Sequence, residues 1–167
     1  MHTYIHTCIH IGASYGIFQD DASDRVHTAL GGRHFFCQQL VADDPPAPWI
    51  NVPMRNTFAF RSVPRIASAA TLTVAAEGRG FDDLLWQGNN ITVTGEQGEF
   101  LGTLFDDAEM DKSQQDGGPI TDTITLSPEK MLEMTSDRDL LLHFTTTDQT
   151  RNGQLRFRYM KLSYEIE

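Results

Sequence analysis

Residues 91–105, ITVTGEQGEFLGTLF, decide the fold. The run Ile91–Thr94 alternates apolar and hydroxyl side chains, and apolar residues return at short intervals over Glu99–Phe105. Period-two alternation places successive side chains on opposite faces of a strand. Between the two runs, residues 96–98 are polar and end in glycine, which is typical of a hairpin connection. This stretch therefore predicts two adjacent antiparallel strands.

Runs of the same kind lie on both sides of this stretch. They cover residues 2–11, Arg33–Val41, Thr57–Val63, Ala70–Ala76, Ile120–Leu126, Leu140–Thr147 and Leu155–Ile166. Asn152-Gly153 before the last run also indicates a hairpin connection. Many short strands separated by Gly, Asn, Asp and Pro predict an all-β fold, a single two-sheet β-sandwich over residues 1–167.

Two short helical turns interrupt the strand pattern. Ser127 is a good N-cap and Pro128 suits the first helical position. The residues of this turn that we expect to face the core are Met131, Leu132 and Met134. A second turn is predicted within Asp20–Leu30, where Gly31-Gly32 would end it.

A proline-rich segment, ADDPPAPWINVP at residues 42–53, holds four of the seven prolines. Proline is confined to loops and sheet edges, so this segment is predicted to be an extended loop or an edge. An extended strand can add to the sheet edge of a neighbouring protein. The predicted N-terminal strand and the proline-rich segment are therefore candidate contact arms.

The formal net charge of −10 is unevenly distributed. Residues 1–65 hold five Arg and five Asp, whereas residues 66–167 hold eight basic and 18 acidic residues. Phosphate contact requires clustered Lys and Arg, so we do not expect a nucleic-acid partner. The sequence also has no apolar stretch of about 20 residues, the length a spanning helix needs, so we do not expect a membrane partner. With two cysteines, Cys8 and Cys37, one disulfide is possible but a disulfide framework is not.

Four ordered features lie between residues 67 and 167. They are SAATLTV (68–74), NNITVTGEQGEFLGTL (89–104), ITLSPEKML (124–132) and LRFRYMKLSYEIE (155–167). In this order they resemble the C-terminal portion of jelly-roll β-sandwich modules of bacterial extracellular proteins and phage virion parts. The resemblance implies a sandwich of jelly-roll type, and its motifs transfer no functional residue.

Aromatic residues next to polar ones suggest a glycan site. Trp49, Phe81 and Trp86 could present flat ring faces to a sugar. The residues that could hydrogen-bond its hydroxyls are Asp82, Asp83 and Asn89. Because a tryptophan can equally well close the end of a sandwich, a purely structural role stays open.

The acidic run that follows residue 105 is a candidate calcium site, with Asp106, Asp107, Glu109 and Asp111 as ligands. Clustered carboxylates on a loop suit the flexible oxygen shell of Ca²⁺. The run does not match the EF-hand pattern, because Lys112 stands where the turn glycine should be. A solvated acidic loop is the alternative.

Two further patterns are weaker. Gly12-Ala13-Ser14-Tyr15-Gly16 matches the G-x-S-x-G nucleophile elbow, and His143 could then serve as its base, but an elbow requires a parallel sheet with packed helices. His2, His6 and His10 share one face of the N-terminal run, but three histidines spread along one strand cannot all reach one ion. A pair such as His6 and Cys8, helped by His34 or Cys37 from another strand, could form a zinc site.

These observations favour a non-catalytic structural protein, most plausibly a phage virion component such as a capsid decoration, cement or tail accessory protein. We expect it to bind neighbouring capsid or filament subunits, to form a homo-oligomer and to need no cofactor other than possible Ca²⁺. The alternative is an extracellular carbohydrate-binding or adhesive module that binds glycans with or without calcium. An esterase-like hydrolase using Ser14 is the remote third hypothesis.

Overall fold

The computed structural model describes residues 17–19, 26–30, 33–41, 49–52, 54–60, 63–80, 90–105, 117–146 and 153–166. For the parts before residue 42 and for residues 165–166, only the course and pairing of the backbone are described. Strands dominate these residues, and one short helix interrupts them.

The described residues form eleven strands. Their bounds are β1 Ile17–Gln19, β2 Val26–Leu30, β3 Arg33–Val41, β4 Ile50–Asn51, β5 Arg55–Phe60, β6 Ala70–Arg79, β7 Ile91–Gly95, β8 Phe100–Leu104, β9 Ile120–Leu126, β10 Leu140–Thr146 and β11 Gln154–Ile166. The helix, α1, spans Pro128–Met134 and lies between β9 and β10.

Two sheets form a sandwich. Sheet A has the order β1-β5-β10-β7-β8, and sheet B has the order β2-β3-β11-β6-β9, with β4 also paired to β11. Leaving the two-residue β4 aside, successive strands from β3 to β11 change sheets at every step except between β7 and β8. The eight strands form two antiparallel sets of four, β5-β10-β7-β8 and β3-β11-β6-β9, which is the jelly-roll arrangement. The predicted all-β jelly-roll sandwich is confirmed.

The strand bounds follow the sequence pattern closely. Arg33–Val41 and Ile120–Leu126 form strands with the predicted ends. Residues 91–105 form the predicted hairpin, in which Thr92 pairs with Thr103 across a tight turn. The N-terminal run at residues 2–11 lies outside the described residues.

Two sequence predictions about connections are wrong. Val26–Leu30 is not helical, because it pairs in antiparallel register with Arg33–Cys37; Gly31-Gly32 thus connects two strands rather than ending a helix. The chain around Gly153 does not connect a hairpin, because β10 belongs to sheet A and β11 to sheet B. The first error arises because a glycine pair can end a helix or connect two strands. The second arises because a glycine-containing connection carries no information about which sheet the next strand joins.

Helix α1 begins as predicted. The Ser127 side chain accepts a hydrogen bond from the backbone N–H of Lys130 (3.3 Å), and Pro128 opens the first turn. Hydrogen bonds to its own backbone and to the Ser127 side chain lower the pKa of Glu129. Met131 is buried, but Leu132 is exposed, which corrects the prediction that it faces the core. In this seven-residue helix, positions 131 and 132 are about 100° apart on the helix surface, too far to share a narrow buried stripe.

The two sheets meet through a cluster of three phenylalanines. Phe58 on β5 and Phe144 on β10 come from sheet A, and Phe157 on β11 comes from sheet B. Their ring centroids are 4.8, 5.1 and 5.7 Å apart, and every pair packs edge to face. Edge-to-face packing brings the positive rim of one ring against the negative face of another. This cluster therefore fixes both the spacing and the lateral position of the sheets.

Removing one ring from this cluster should be costly. We expect Phe144→Ala to lower the free energy of unfolding by about 3–5 kcal/mol, because the cavity opens on both sheets at once. The matched control is Phe100→Ala, since Phe100 is 64% exposed and should change stability by less than about 0.5 kcal/mol. Denaturant titration of both variants measures this difference, and equal losses would contradict the central role of the cluster.

The sheets approach closely at the corner between β8 and β9. A side-chain carbon at Gly102 would lie 2.9 Å from the Ile124 side chain, so only glycine fits there without displacement. Just beyond β8, the Phe105 N–H donates to Asp122 Oδ2 (2.7 Å), and the Thr123 N–H donates to Oδ1 of the same carboxylate (2.7 Å). One acidic side chain on β9 of sheet B thereby holds the end of β8 of sheet A.

The close approach at Gly102 can be tested with a single methyl group. We expect Gly102→Ala to destabilise the protein by about 1–3 kcal/mol, because the added carbon forces Ile124 or β8 to move. Gly118→Ala is the control, since a side-chain carbon there meets nothing within 4 Å. Denaturant midpoints that shift equally for the two variants would show that the corner is looser than described.

Candidate docking surfaces

Trp49 is held in place by two arginines. The Cζ atom of Arg79 lies 4.0 Å from the centroid of the Trp49 ring, and that of Arg156 lies 4.5 Å away. Both distances are within the range of cation–π attraction. The arginines come from neighbouring strands, β6 and β11, so the tryptophan joins the end of the proline-rich segment to the outer side of sheet B.

A carboxylate orders one of these arginines, Arg156, together with a third, Arg158. Glu77 Oε2 accepts from Arg156 Nε (2.8 Å) and from Nη2, and Glu77 Oε1 lies 3.4 Å from Arg158 Nη1. The Glu77 side chain is only 13% exposed, so these pairs are partly shielded from water. We call Trp49, Glu77, Arg79, Arg156 and Arg158 the arginine surface; it has three guanidinium groups and one carboxylate.

Alternation along β11 explains how two arginines close in sequence reach one glutamate. Leu155 and Phe157 are buried in the core, so Arg156 and Arg158, two residues apart, lie on the outer side, with Arg156 opposite Glu77. The pairing register then shifts between Phe157 and Tyr159, where one extra residue is inserted. After this bulge the alternation is reversed, and the even-numbered positions of β11 face the core.

Both ends of the proline-rich segment are attached to β11. Val41, just before it, pairs with Tyr159, and Ile50 near its end pairs with Leu155. These partners are four residues apart, so the two attachment points lie about 13 Å from each other along the strand. Further hydrogen bonds hold the later end: Val52 N–H to the Gly153 carbonyl (3.0 Å), and Gln154 Nε2 to Asn51 Oδ1 (2.8 Å).

An acidic cavity of about 430 Å³ lies between the β7–β8 hairpin and the region after α1. Its lining contains four carboxylate side chains and no Lys or Arg among the described residues. The lining residues are Glu96, Gln97, Glu99, Glu133, Met134, Ser136, Asp137 and Leu141. Glu133 also lies 3.8 Å from Lys130 on the outer side of the helix, a weak exposed ion pair.

Glu99 is the unusual member of this cavity. Its side chain folds back over Gly95, where any side-chain carbon would collide with the carboxylate. Its Oε2 atom is buried and has no hydrogen-bond partner within the described part of the chain. A buried acceptor without a donor costs free energy.

The arginine surface and the acidic cavity lie at opposite ends of the sandwich. Strand β6 starts at Ala70, close to Ile66, whose N–H donates to Thr135 Oγ1 at the end of α1 beside the cavity. The same strand ends at Arg79, which pairs with Gln154 at the arginine surface. The ten residues of β6 extend over about 30 Å, so no side chain of one surface reaches the other.

Few of the sequence-predicted site residues fall in the described part. Trp49 does, and the arginines over its ring give it a structural role. The other glycan candidates (Phe81, Asp82, Asp83, Trp86, Asn89) and the calcium candidates (Asp106, Asp107, Glu109, Asp111) lie outside the described residues. Those residues that are described contain no group of three or more His, Cys, Asp or Glu that could hold a metal ion.

The structure describes only some of the residues of the nucleophile-elbow and zinc patterns. Ser14 and the histidines of residues 1–16 lie outside the described residues, and so does Cys8. His34 and Cys37 lie on β3, where only the backbone is described. His143 Nδ1 lies 2.8 Å from Thr57 Oγ1, a hydrogen-bonding contact between neighbouring strands of sheet A.

Sequence reasoning missed both surfaces, although each leaves a trace. In the run Leu155–Tyr159, LRFRY, charged and apolar residues alternate, and residues 77–79 place an acid and a base on the same side of another strand. The alternation could have indicated an outer face rich in arginine. The acidic cavity left a weaker trace, because its carboxylates come from two segments more than 30 residues apart.

Comparisons with known proteins identify the fold and nothing finer. No protein-family model matches the sequence. A search of curated proteins gave no match either. The structure is similar to part of dimeric latent PorU from Porphyromonas gingivalis, with a TM-score of 0.52 and 9% identity, covering 93% of this chain and 14% of PorU. A plant receptor-like kinase, ANX1, gives a TM-score of 0.44 at 9% identity over 79% of this chain and 32% of ANX1.

The likeness to PorU shows a shared sandwich fold, because 9% identity is too low to carry over any residue role. This chain spans about one seventh of the PorU chain that it matches. Across the residues that the structure describes, no helix is both long and apolar enough to cross a membrane.

The contribution of Trp49 to stability can be measured directly. We expect Trp49→Ala to lower the free energy of unfolding by about 1–3 kcal/mol, since two cation–π contacts of roughly 0.5–2 kcal/mol each are lost. Trp49→Phe keeps an aromatic face and should lose less than half as much. A Trp49→Ala variant as stable as the wild type in denaturant would show that the arginines do not hold this residue.

Proposed function

We propose that this protein is a non-catalytic structural module that binds neighbouring protein subunits, with the proline-rich segment as its contact arm. The supporting observation is that both ends of this segment are attached to one strand, and that the later end is held under two arginines. The residues at the two ends of the segment pair with β11 at points about 13 Å apart. Both ends therefore have defined positions on the sandwich.

The chemistry of the segment suits this role. Proline fixes one backbone torsion and lacks an N–H group, so a proline-rich segment loses little conformational freedom when it binds. Pro45, Pro46 and Pro48 lie between the two attachment points. Rigid elements bind with a smaller entropic cost than flexible ones, which favours recognition of a partner protein.

The setting we propose is a phage virion, where the chain would decorate or cement the capsid or serve as a tail accessory protein. The sequence resemblance over residues 67–167 to jelly-roll virion parts supports this setting. The jelly-roll strand order is compatible with it, although the same fold serves many functions.

The contact arm can be tested with purified particles from the native source. We expect replacement of Pro45, Pro46 and Pro48 together by alanine to reduce the fraction of protein that co-sediments with particles by about tenfold, the effect of roughly 1.4 kcal/mol. Pro119→Ala is the matched control, because Pro119 is exposed and lies outside the arm. It should co-sediment like the wild type.

Two results would count against the proposal. Wild-type protein that never travels with any particle or filament would remove the structural role. Triple-variant protein that co-sediments as well as the Pro119→Ala control would remove the arm, because the altered segment would then make no contact that matters. Unchanged denaturant midpoints for both variants are needed to show that the sandwich itself is intact.

A further inference from the structure

We propose that the arginine surface of one copy binds the acidic cavity of a second copy, so that the chain associates head to tail with itself. This inference rests on the proposed docking function and names a partner for it. The arginine surface carries three guanidinium groups against one carboxylate, whereas the cavity is lined by four carboxylates and by no basic side chain among the described residues.

Arg79 is the group best placed to enter the cavity. It is exposed at the end of β6, and within the described residues it donates one hydrogen bond, from Nε to Gln154 Oε1 (2.8 Å). A guanidinium group has five N–H donors in a planar fork that matches a carboxylate. Its cation–π contact with Trp49 fixes the position of the group without using these donors.

The cavity has a matching surplus of carboxylates. Glu96, Glu99, Glu133 and Asp137 line it, and Glu99 Oε2 has no hydrogen-bond partner in the described part of the chain. An arginine that donates two parallel N–H groups to a carboxylate forms a bidentate pair with short, charge-assisted hydrogen bonds. A volume of about 430 Å³ is large enough for one such side chain and falls within the range of ordinary binding pockets.

The composition of the arginine surface is that of an interaction centre. Tryptophan and arginine are the residues most enriched where binding energy concentrates in protein interfaces. Here they come from three elements: β4 with the residue before it, β6 and β11. Contacts within the surface order them before any partner arrives. Arg79 and Arg156 stack on Trp49. The partly buried carboxylate of Glu77 holds Arg156 and Arg158.

Geometry then determines the kind of assembly. The two surfaces lie at opposite ends of the sandwich, about 30 Å apart. The arginine surface of one copy therefore cannot reach the acidic cavity of the same copy. A contact between two different surfaces leaves one surface unused on each terminal copy. Repetition of such a contact gives a closed ring if the rotation closes, and an open filament if it does not.

Reversing charges on each surface tests this arrangement. The first variant is Arg79→Glu and the second is the double substitution Glu96→Arg with Asp137→Arg, all at exposed positions. Each variant alone would bring like charges together, so we expect its self-association to weaken by tenfold or more. In an equimolar mixture the reversed surfaces face each other with opposite charges, and association should return with alternating copies.

Sedimentation velocity over a range of protein concentrations is the measurement. The charge-matched control is Arg65→Glu, which changes the same charge at an exposed residue outside both surfaces and should associate like the wild type. A second variant, Arg79→Gln, removes the charge without reversing it and should give a smaller loss than Arg79→Glu. Thermal melting monitored by circular dichroism establishes that each variant is folded.

Several outcomes would overturn the inference. The first is a wild type that stays monomeric up to about 1 mM, the weak end of specific association. The second is an Arg79→Glu variant that associates as well as Arg65→Glu. The third is an equimolar mixture of the two charge-reversed variants that remains monomeric. Binding of a basic segment of another protein in the cavity, with no self-association, would also overturn it.

These outcomes are separate from those of the contact-arm experiment. Alanine in place of the three arm prolines leaves both charged surfaces unchanged, so a loss of particle binding there does not alter self-association. A monomeric wild type that still co-sediments with native particles would remove the head-to-tail contact and leave the proposed docking function standing.

Discussion

Phe58, Phe144 and Phe157 hold the two sheets of the sandwich together. Two rings come from one sheet and the third from the other, and all three are buried. Because edge-to-face packing is directional, it sets how the sheets lie over each other as well as how far apart they are. Within sheet A, the pairing of β5 with β10 continues to Thr146, which exchanges hydrogen bonds with Met54 next to the attached end of the proline-rich segment.

Much of the fold could be predicted from residues alone. The alternation in residues 91–105 and 120–126 gave the right strands, because one face of each is buried and the other wet. Ser127 and Pro128 gave the start of α1 for a local reason, the unsatisfied N–H groups of a first turn. Sheet membership could not be predicted locally: Gly31-Gly32 connects partners in one sheet, whereas the chain before Gly153 crosses between sheets.

The two charged surfaces could also be predicted only in part from the local sequence. Alternation in residues 155–159 places arginines on an outer face, but the meeting of Arg156 and Arg158 with Glu77 depends on the pairing of β11 with the neighbouring strand β6. Likewise, the hairpin glutamates could be found by inspection, yet their approach to Glu133 and Asp137 results from the return of the chain after α1. The local sequence indicates which charged side chains are present, and long-range strand pairing determines which of them come together.

Strand β11 has one more consequence, for how the molecule forms. It lies in the middle of sheet B, between β3 and β6, and also pairs with β4, although it follows all the other described strands in the sequence. During synthesis, β3 must therefore wait for more than a hundred further residues before its partner emerges from the ribosome. Folds dominated by such distant pairings form slowly. The nascent chain consequently spends time with unpaired sheet edges, a state in which protection by a chaperone would reduce aggregation.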